Sequence, residues 1–322
     1  MRQAGRYLPE YRALRAGHGF LELCKTPELA AQVTLMPIER FPVDAAILFA
    51  DILLILEPMG VGLEFAKGDG PVIHRPVRSR ADVDGLARVP ATEGLGYVLD
   101  TVRLVRERLA GRVPLIGFAG APFTLASYVI EGGGSRQYRH TKTLMYAEPD
   151  AWHRLMERLS EAVVDYARAQ VAAGAQAVQL FDSWVGCLGP DDYRTYVQPH
   201  MRETFRALAG TGVPVIHFGT GTAALLELMR DAGGDVIGID WHVDLGDAWK
   251  RVGYDVAVQG NLDPLVLFAP PEEIRRRVAR VLDAAGGRPG HIFNLGHGVL
   301  PETPEAHVAA LIDAVHSLSA RG

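Results

Sequence analysis

Arginine crowds the start of the chain, with Arg2, Arg6, Arg12 and Arg15 inside fifteen residues. A solvated basic arm is one reading of that cluster. The other is a clamp for a multiply carboxylated ligand, because the planar guanidinium fork matches a carboxylate bidentately. Asp51, closing an apolar run, is open in the same way. It caps the turn into the next helix, or it faces a pocket as an ionised acceptor of N–H groups.

Two glycine-rich stretches invite a phosphate. Gly219-Thr220-Gly221-Thr222-Ala223-Ala224 follows an apolar run, and Asp240 stands about 20 residues further on, the spacing of a dinucleotide fingerprint. The competing reading is a loop whose helix N-terminus is capped by Thr220 or Thr222. The late position and the missing third glycine favour the loop, which could still hold an anion at the helix end. Glu131-Gly132-Gly133-Gly134-Ser135 lacks the Lys-Ser or Lys-Thr of a phosphate loop, so it reads as a flap or a plain linker. Zinc is not expected. No His-x-x-x-His pair occurs among eleven histidines, and His217-Phe218-Gly219 has glycine where a His-x-Cys site needs its thiolate. His291 and His297 read as separate strand-end residues.

The elements that must hold these groups alternate. Short apolar runs at 45–50, 114–119, 177–181, 214–218, 236–239, 256–258 and 291–295 read as buried parallel strands. Helical patterns lie between them, one capped by Asp150, one opened by Pro270-Pro271-Glu272-Glu273, and a last one opened by Thr303-Pro304-Glu305 with the threonine as cap. The fold class is α/β, either a doubly wound sheet or a distorted (β/α)8 TIM barrel, and the barrel is favoured as a single domain over 1–322. Seven staves are clear and the eighth is not. Residues 63–77 read as a surface hairpin. A barrel requires its chemistry just after the strands, and Asp51, Gly120-Ala121-Pro122, Asp182-Ser183, Gly219-Thr220, Asp240-Trp241, Gly260-Asn261 and Gly296-His297 all sit there.

Composition narrows the function classes. With 322 residues, 48% apolar and 22% charged, the chain can bury a large core. A net charge of −5 argues against nucleic acid or a membrane surface as a general partner. The most apolar stretch, 43–59, carries Asp44, Asp51 and Glu57 and is too short and charged to span a bilayer. Two cysteines, Cys24 and Cys187, make no disulfide framework and point to a reducing compartment. No secretory signal opens the chain, and Glu10, two tyrosines and the lack of serine weigh against a transit peptide. A cytoplasmic protein is expected.

Five blocks then resemble one family. They are residues 1–12, Phe49-Ala50-Asp51-Ile52-Leu53, Gly120-Ala121-Pro122-Phe123-Thr124-Leu125, Tyr128 with 131–135, and Asn294-Leu295-Gly296-His297-Gly298. In this order, and along the whole chain, they resemble the uroporphyrinogen decarboxylase family. The resemblance implies a distorted (β/α)8 barrel, a homodimer, and a carboxy-lyase of haem biosynthesis that needs no cofactor. Its reaction removes carbon dioxide from the four acetate side chains of uroporphyrinogen III and leaves coproporphyrinogen III. The family's substrate-binding groups fall on Arg2, Arg6, Asp51, Tyr128, Ser183 and His297, with catalytic roles on Asp51, Arg2 and Tyr128. Asp51 would accept the pyrrole N–H groups, Arg2 and Arg6 would hold carboxylates, and Tyr128, Ser183 and His297 would orient the reacting ring. The family pattern usually carries a segment upstream of the Met1–Arg6 block, whereas this sequence opens on it, so Arg2 is expected to be poorly ordered at a free end.

Two alternatives come from other classes. A corrinoid-linked methyltransferase of the same superfamily needs a His-x-Cys and a later cysteine, and nothing after Cys187 supplies them. A non-catalytic tetrapyrrole-binding protein would keep the arginines and Asp51 without turnover.

Overall fold

The computed structural model describes residues 6–66 and 70–319. Nine strands occur among them: β1 (Ala46–Ile47), β2 (Leu63–Ala66), β3 (Gly70–Ile73), β4 (Leu115–Gly120), β5 (Ala177–Asp182), β6 (Val215–Gly219), β7 (Val236–Gly238), β8 (Ala257–Leu262) and β9 (His291–Leu295). β1 and β4 to β9 pair side by side in chain order, every ladder parallel. Parallel neighbours need a crossover, and helices supply it between successive staves. The sheet curls into a barrel. Gln259 of β8 donates to Gln179 of β5 at 3.2 Å across the interior, although β6 and β7 separate those strands in the sheet.

An eighth paired stave is not present among the described residues. Its absence has a local cause at β1, which spans two residues where a strand over 45–50 was expected. Leu48 N–H still reaches Ile116 of β4 at 3.0 Å. The next amide points the other way, where an eighth strand would pair, and Phe49 N–H is taken instead by the Thr34 hydroxyl at 2.9 Å. Thr34 belongs to the helix Pro27–Arg40, so a helix occupies that edge. Between β1 and β9, Tyr7, Leu8, Tyr11 and Met36 pack with Leu295, Val308 and Leu311 in one apolar cluster.

The pair β2–β3 is an antiparallel hairpin outside the barrel, as its sequence suggested. Its second strand is tied to the glycine-rich segment: Ile73 N–H donates to Gly132 at 2.9 Å, and Val72 bridges Gly133. Residues 131–135 are therefore an anchored extension of the hairpin, not a plain linker.

Other boundaries also moved. β8 runs through Gly260 and Asn261, which were expected in a turn, because its pairing with β9 extends to Leu262. Asp150, expected as a cap, lies in the first turn of the helix Pro149–Ala173, two positions past the cap residue Glu148. The Thr303 hydroxyl, expected to cap the helix Glu305–Ser319, is buried with no hydrogen-bond partner among the described residues. Backbone bonds from His307 and Val308 to Pro304 close that turn instead.

Candidate active site

The carboxyl ends of the barrel strands surround an open cleft of about 1010 Å3, counting its mouth. Arg6, Asp51, Ser183 and His297 all line it. They come from four separate parts of the chain and meet only because the sheet curls.

Asp51 follows β1 and is half-buried. Its Oδ1 accepts Leu53 N–H at 2.9 Å and so fixes the turn into the short helix Leu54–Leu56. The two sequence readings of Asp51 thus coexist: one oxygen organises the turn, and the residue also faces the cleft. His297 follows β9, where Gly296 allows a close approach. A Cβ at 296 would stand 2.6 Å from Trp241 N, and the Trp241 ring meets His297 edge-on at 6.0 Å.

The three described arginines of the opening part company. Arg6 is exposed and lines the cleft. Arg12 turns back to the Tyr7 carbonyl at 2.9 Å. Arg15 bonds the His18 carbonyl and sits 5.9 Å from the Phe20 ring. Arg2 lies outside the described residues.

Tyr128 is not part of the cleft lining. It stands on the helix Pro122–Glu131 and stacks on Trp184, ring centroids 3.7 Å apart. Trp184 adjoins Ser183, so the half-buried Tyr128 ring stacks on the neighbour of a residue that lines the cleft.

Sequence reading missed the aromatic floor. Phe118, Phe181 and Phe218 come from β4, β5 and β6 and pack edge to face, with centroids 5.5 and 5.8 Å apart. Phe49 and Phe20 extend it, 6.1 Å from each other. The available signal was the recurrence of phenylalanine near the ends of successive strands. A broad apolar floor with charged groups at its wall suits an apolar ring system bearing carboxylates.

The nucleotide-like pattern dissolves in the structure. Asp240 is buried and accepts His242 N–H at 3.1 Å, His242 Nδ1 at 2.9 Å and the Gly221 amide. It holds the loop after β6 to the loop after β7, leaving no acidic group for a ribose. The helix there begins only at Leu226, and neither Thr220 nor Thr222 caps it. His217 is buried, bonded through Nδ1 to Gly233 at 3.2 Å, and burial lowers its pKa to about 4. No three His, Cys, Asp or Glu side chains among the described residues converge to hold a metal ion.

A family model described as uroporphyrinogen decarboxylase (URO-D) matches residues 1–318. The chain belongs to the uroporphyrinogen decarboxylase family. It is 65% identical over 318 residues to a protein of Sorangium cellulosum named uroporphyrinogen decarboxylase, covering 99% of this chain and 91% of that one. A protein of the same name from Carboxydothermus hydrogenoformans is 57% identical over 319 residues, again 99% of this chain and 91% of the relative. Among solved structures, a methyltransferase from Methanosarcina mazei superposes with a TM-score of 0.81 at 22% identity, covering 96% of this chain and 91% of that one. That likeness speaks for the barrel alone. Within the family the cleft is the place to look for decarboxylation.

Proposed function

We propose that this chain is a uroporphyrinogen decarboxylase, converting uroporphyrinogen III to coproporphyrinogen III with release of four molecules of carbon dioxide. One observation carries the reading: Asp51, Arg6, Ser183 and His297 line a single cleft with an aromatic floor, in a chain of this family.

Each step breaks the bond between an acetate methylene and its carboxylate. Protonation of the adjacent ring carbon makes the pyrrole cationic, and the electron pair left by departing carbon dioxide flows into that ring. A proton then adds to the exocyclic carbon to form the methyl group, and the proton first placed on the ring carbon leaves to restore the neutral pyrrole. The pyrrole is its own electron sink. The protein's task is to hold the macrocycle and stabilise positive charge where it develops. Asp51 accepts pyrrole N–H groups and offsets the cationic ring. Arg6 binds a substrate carboxylate and stays charged throughout. Arg2 joins Arg6 in this role, and Ser183, His297 and Tyr128 orient the reacting ring.

The single-domain subunits pair as a cytoplasmic homodimer with clefts facing one another. The family resemblance supports this. No described helix is long and apolar enough to cross a membrane.

Purified protein, treated with a strong chelator and desalted, should release carbon dioxide from uroporphyrinogen III and yield coproporphyrinogen III. Tight binding without carbon dioxide release would replace the enzyme with a tetrapyrrole carrier. Sedimentation at micromolar concentration should give twice the 35.0 kDa chain mass. A fully active monomer would defeat the dimer.

A further inference from the structure

Ser183 is bracketed by two residues tied to one hydroxyl. Thr124 Oγ1 donates to Asp182 Oδ1 at 2.7 Å and accepts Trp184 N–H at 3.2 Å. Thr124 and Asp182 are both fully buried. A threonine hydroxyl has a single proton to give, and here it goes to Asp182. The residues on either side of Ser183 are therefore pinned to the same point on the helix Pro122–Glu131.

The same helix makes a second hold four residues later. Thr124 and Tyr128 share one helix face. Tyr128 stacks on the Trp184 ring with planes 26° apart, and Tyr138 closes against that ring edge-on at 5.3 Å. Hydroxyl and ring thus grip residues 182–184 together, and Ser183, between the grips, lines the cleft. Burial strengthens the arrangement, since hydrogen bonds away from water are strong and an orphaned partner is costly. The Oδ2 oxygen of Asp182 is buried with no hydrogen-bond partner among the described residues. The Asp182 carboxyl is pushed up to about 7, by burial first and against hydrogen bonds from the Thr124 side chain and backbone, so removing the hydroxyl would leave a buried carboxyl held by the backbone amide alone.

We propose that Thr124 is a positioning residue: its hydroxyl sets the Asp182–Trp184 backbone and thereby aligns Ser183 with the substrate. This rests on the decarboxylase reading, with Ser183 touching the macrocycle. Thr124 itself does not line the cleft and acts only through the loop.

A double-mutant cycle on kcat/KM for uroporphyrinogen III tests it. Thr124→Val keeps the branched shape and loses the hydroxyl; it should lower kcat/KM at least tenfold, since a misplacement of about 1 Å can cost on the order of a hundredfold. Thr124→Ser keeps the hydroxyl and should stay within about threefold of wild type. In a Ser183→Ala background, Thr124→Val should add less than about a twofold loss, because the group it aligns is already gone. Thr124→Ala goes through the same cycle in case valine prevents folding. Losses that multiply in full would reduce Thr124 to a packing residue and overturn the proposal, while leaving the decarboxylase reading intact. A wild-type protein without decarboxylase activity would instead overturn the reading beneath it.

Discussion

At the scale of single residues, Asp51 concentrates the argument, because it serves both the local turn and the cleft. Substitution separates the two roles. Asp51→Asn can still accept Leu53 N–H through its amide oxygen, so the turn survives, but the charge is lost and an amide donor faces pyrrole donors. Turnover should fall by about a hundredfold or more, in line with losing an electrostatic stabiliser of the transition state. The melting temperature should stay near wild type, because Asn and Asp hold such turns about equally well. Asp51→Glu keeps the charge but shifts it by one methylene and should retain part of the activity. Steady-state assays alongside thermal melts check both variants. Wild-type turnover in Asp51→Asn would leave Asp51 a turn residue and nothing more.

At the scale of elements, the aromatic floor depends on how helices are stitched to strands. Gln170, on the long helix Pro149–Ala173, accepts Phe118 N–H at 2.9 Å and donates to Phe118 C=O at 2.8 Å. One side chain thereby satisfies both backbone groups of a floor residue on β4. Gly117 makes room for it, since a Cβ there would stand 2.5 Å from Gln170 Oε1. Gln170→Leu has similar bulk but leaves two buried backbone groups unpaired. It should destabilise the fold by about 2–4 kcal/mol, at about 1–3 kcal/mol for each orphaned group less what relaxation recovers. Urea denaturation measures this directly. A loss under about 0.5 kcal/mol would mean that β4 has other ways to satisfy Phe118.

At the scale of the whole molecule, three buried titratable groups link stability to pH. His217 and His200 are each lowered to about 4, chiefly by burial, with His153 adding to the effect on His200. Unfolded chain takes up these protons near 6.5, so the stability from keeping both rings neutral is present above 6.5 and is lost as pH falls towards 4. Each group contributes on the order of 3 kcal/mol across that window. Asp182 works in the opposite sense. Its carboxyl is raised to about 7, so its stabilising contribution is present below about 3.8 and is lost as pH rises through 7. Melts between pH 4 and 8 should show wild type falling on the acid side and His200→Gln falling less steeply. Asp182→Asn should gain on wild type as pH rises from about 4 to about 7. Parallel curves for wild type and His200→Gln would show that His200 takes up its proton as readily in the fold as in the unfolded chain.

Much of this protein is legible from its sequence, for a physical reason. Buried parallel strands must be apolar and must alternate with helices, so seven staves and the outlying hairpin follow from local pattern. The polar groups that end those strands mark the functional face, and Asp51, Ser183 and His297 are on it. What local pattern does not encode is which distant groups meet. The phenylalanine floor arises from register and curl, which bring β4, β5 and β6 side by side. The split among the arginines depends on which carbonyls lie within reach of Arg12 and Arg15 once the first helix has docked. The spacing from Gly219 to Asp240 reads alike whether the acid waits for a ribose or binds the Gly221 amide. Only the folded chain brings that amide to the carboxylate, and only the folded chain sets Thr34 where an eighth strand would have paired.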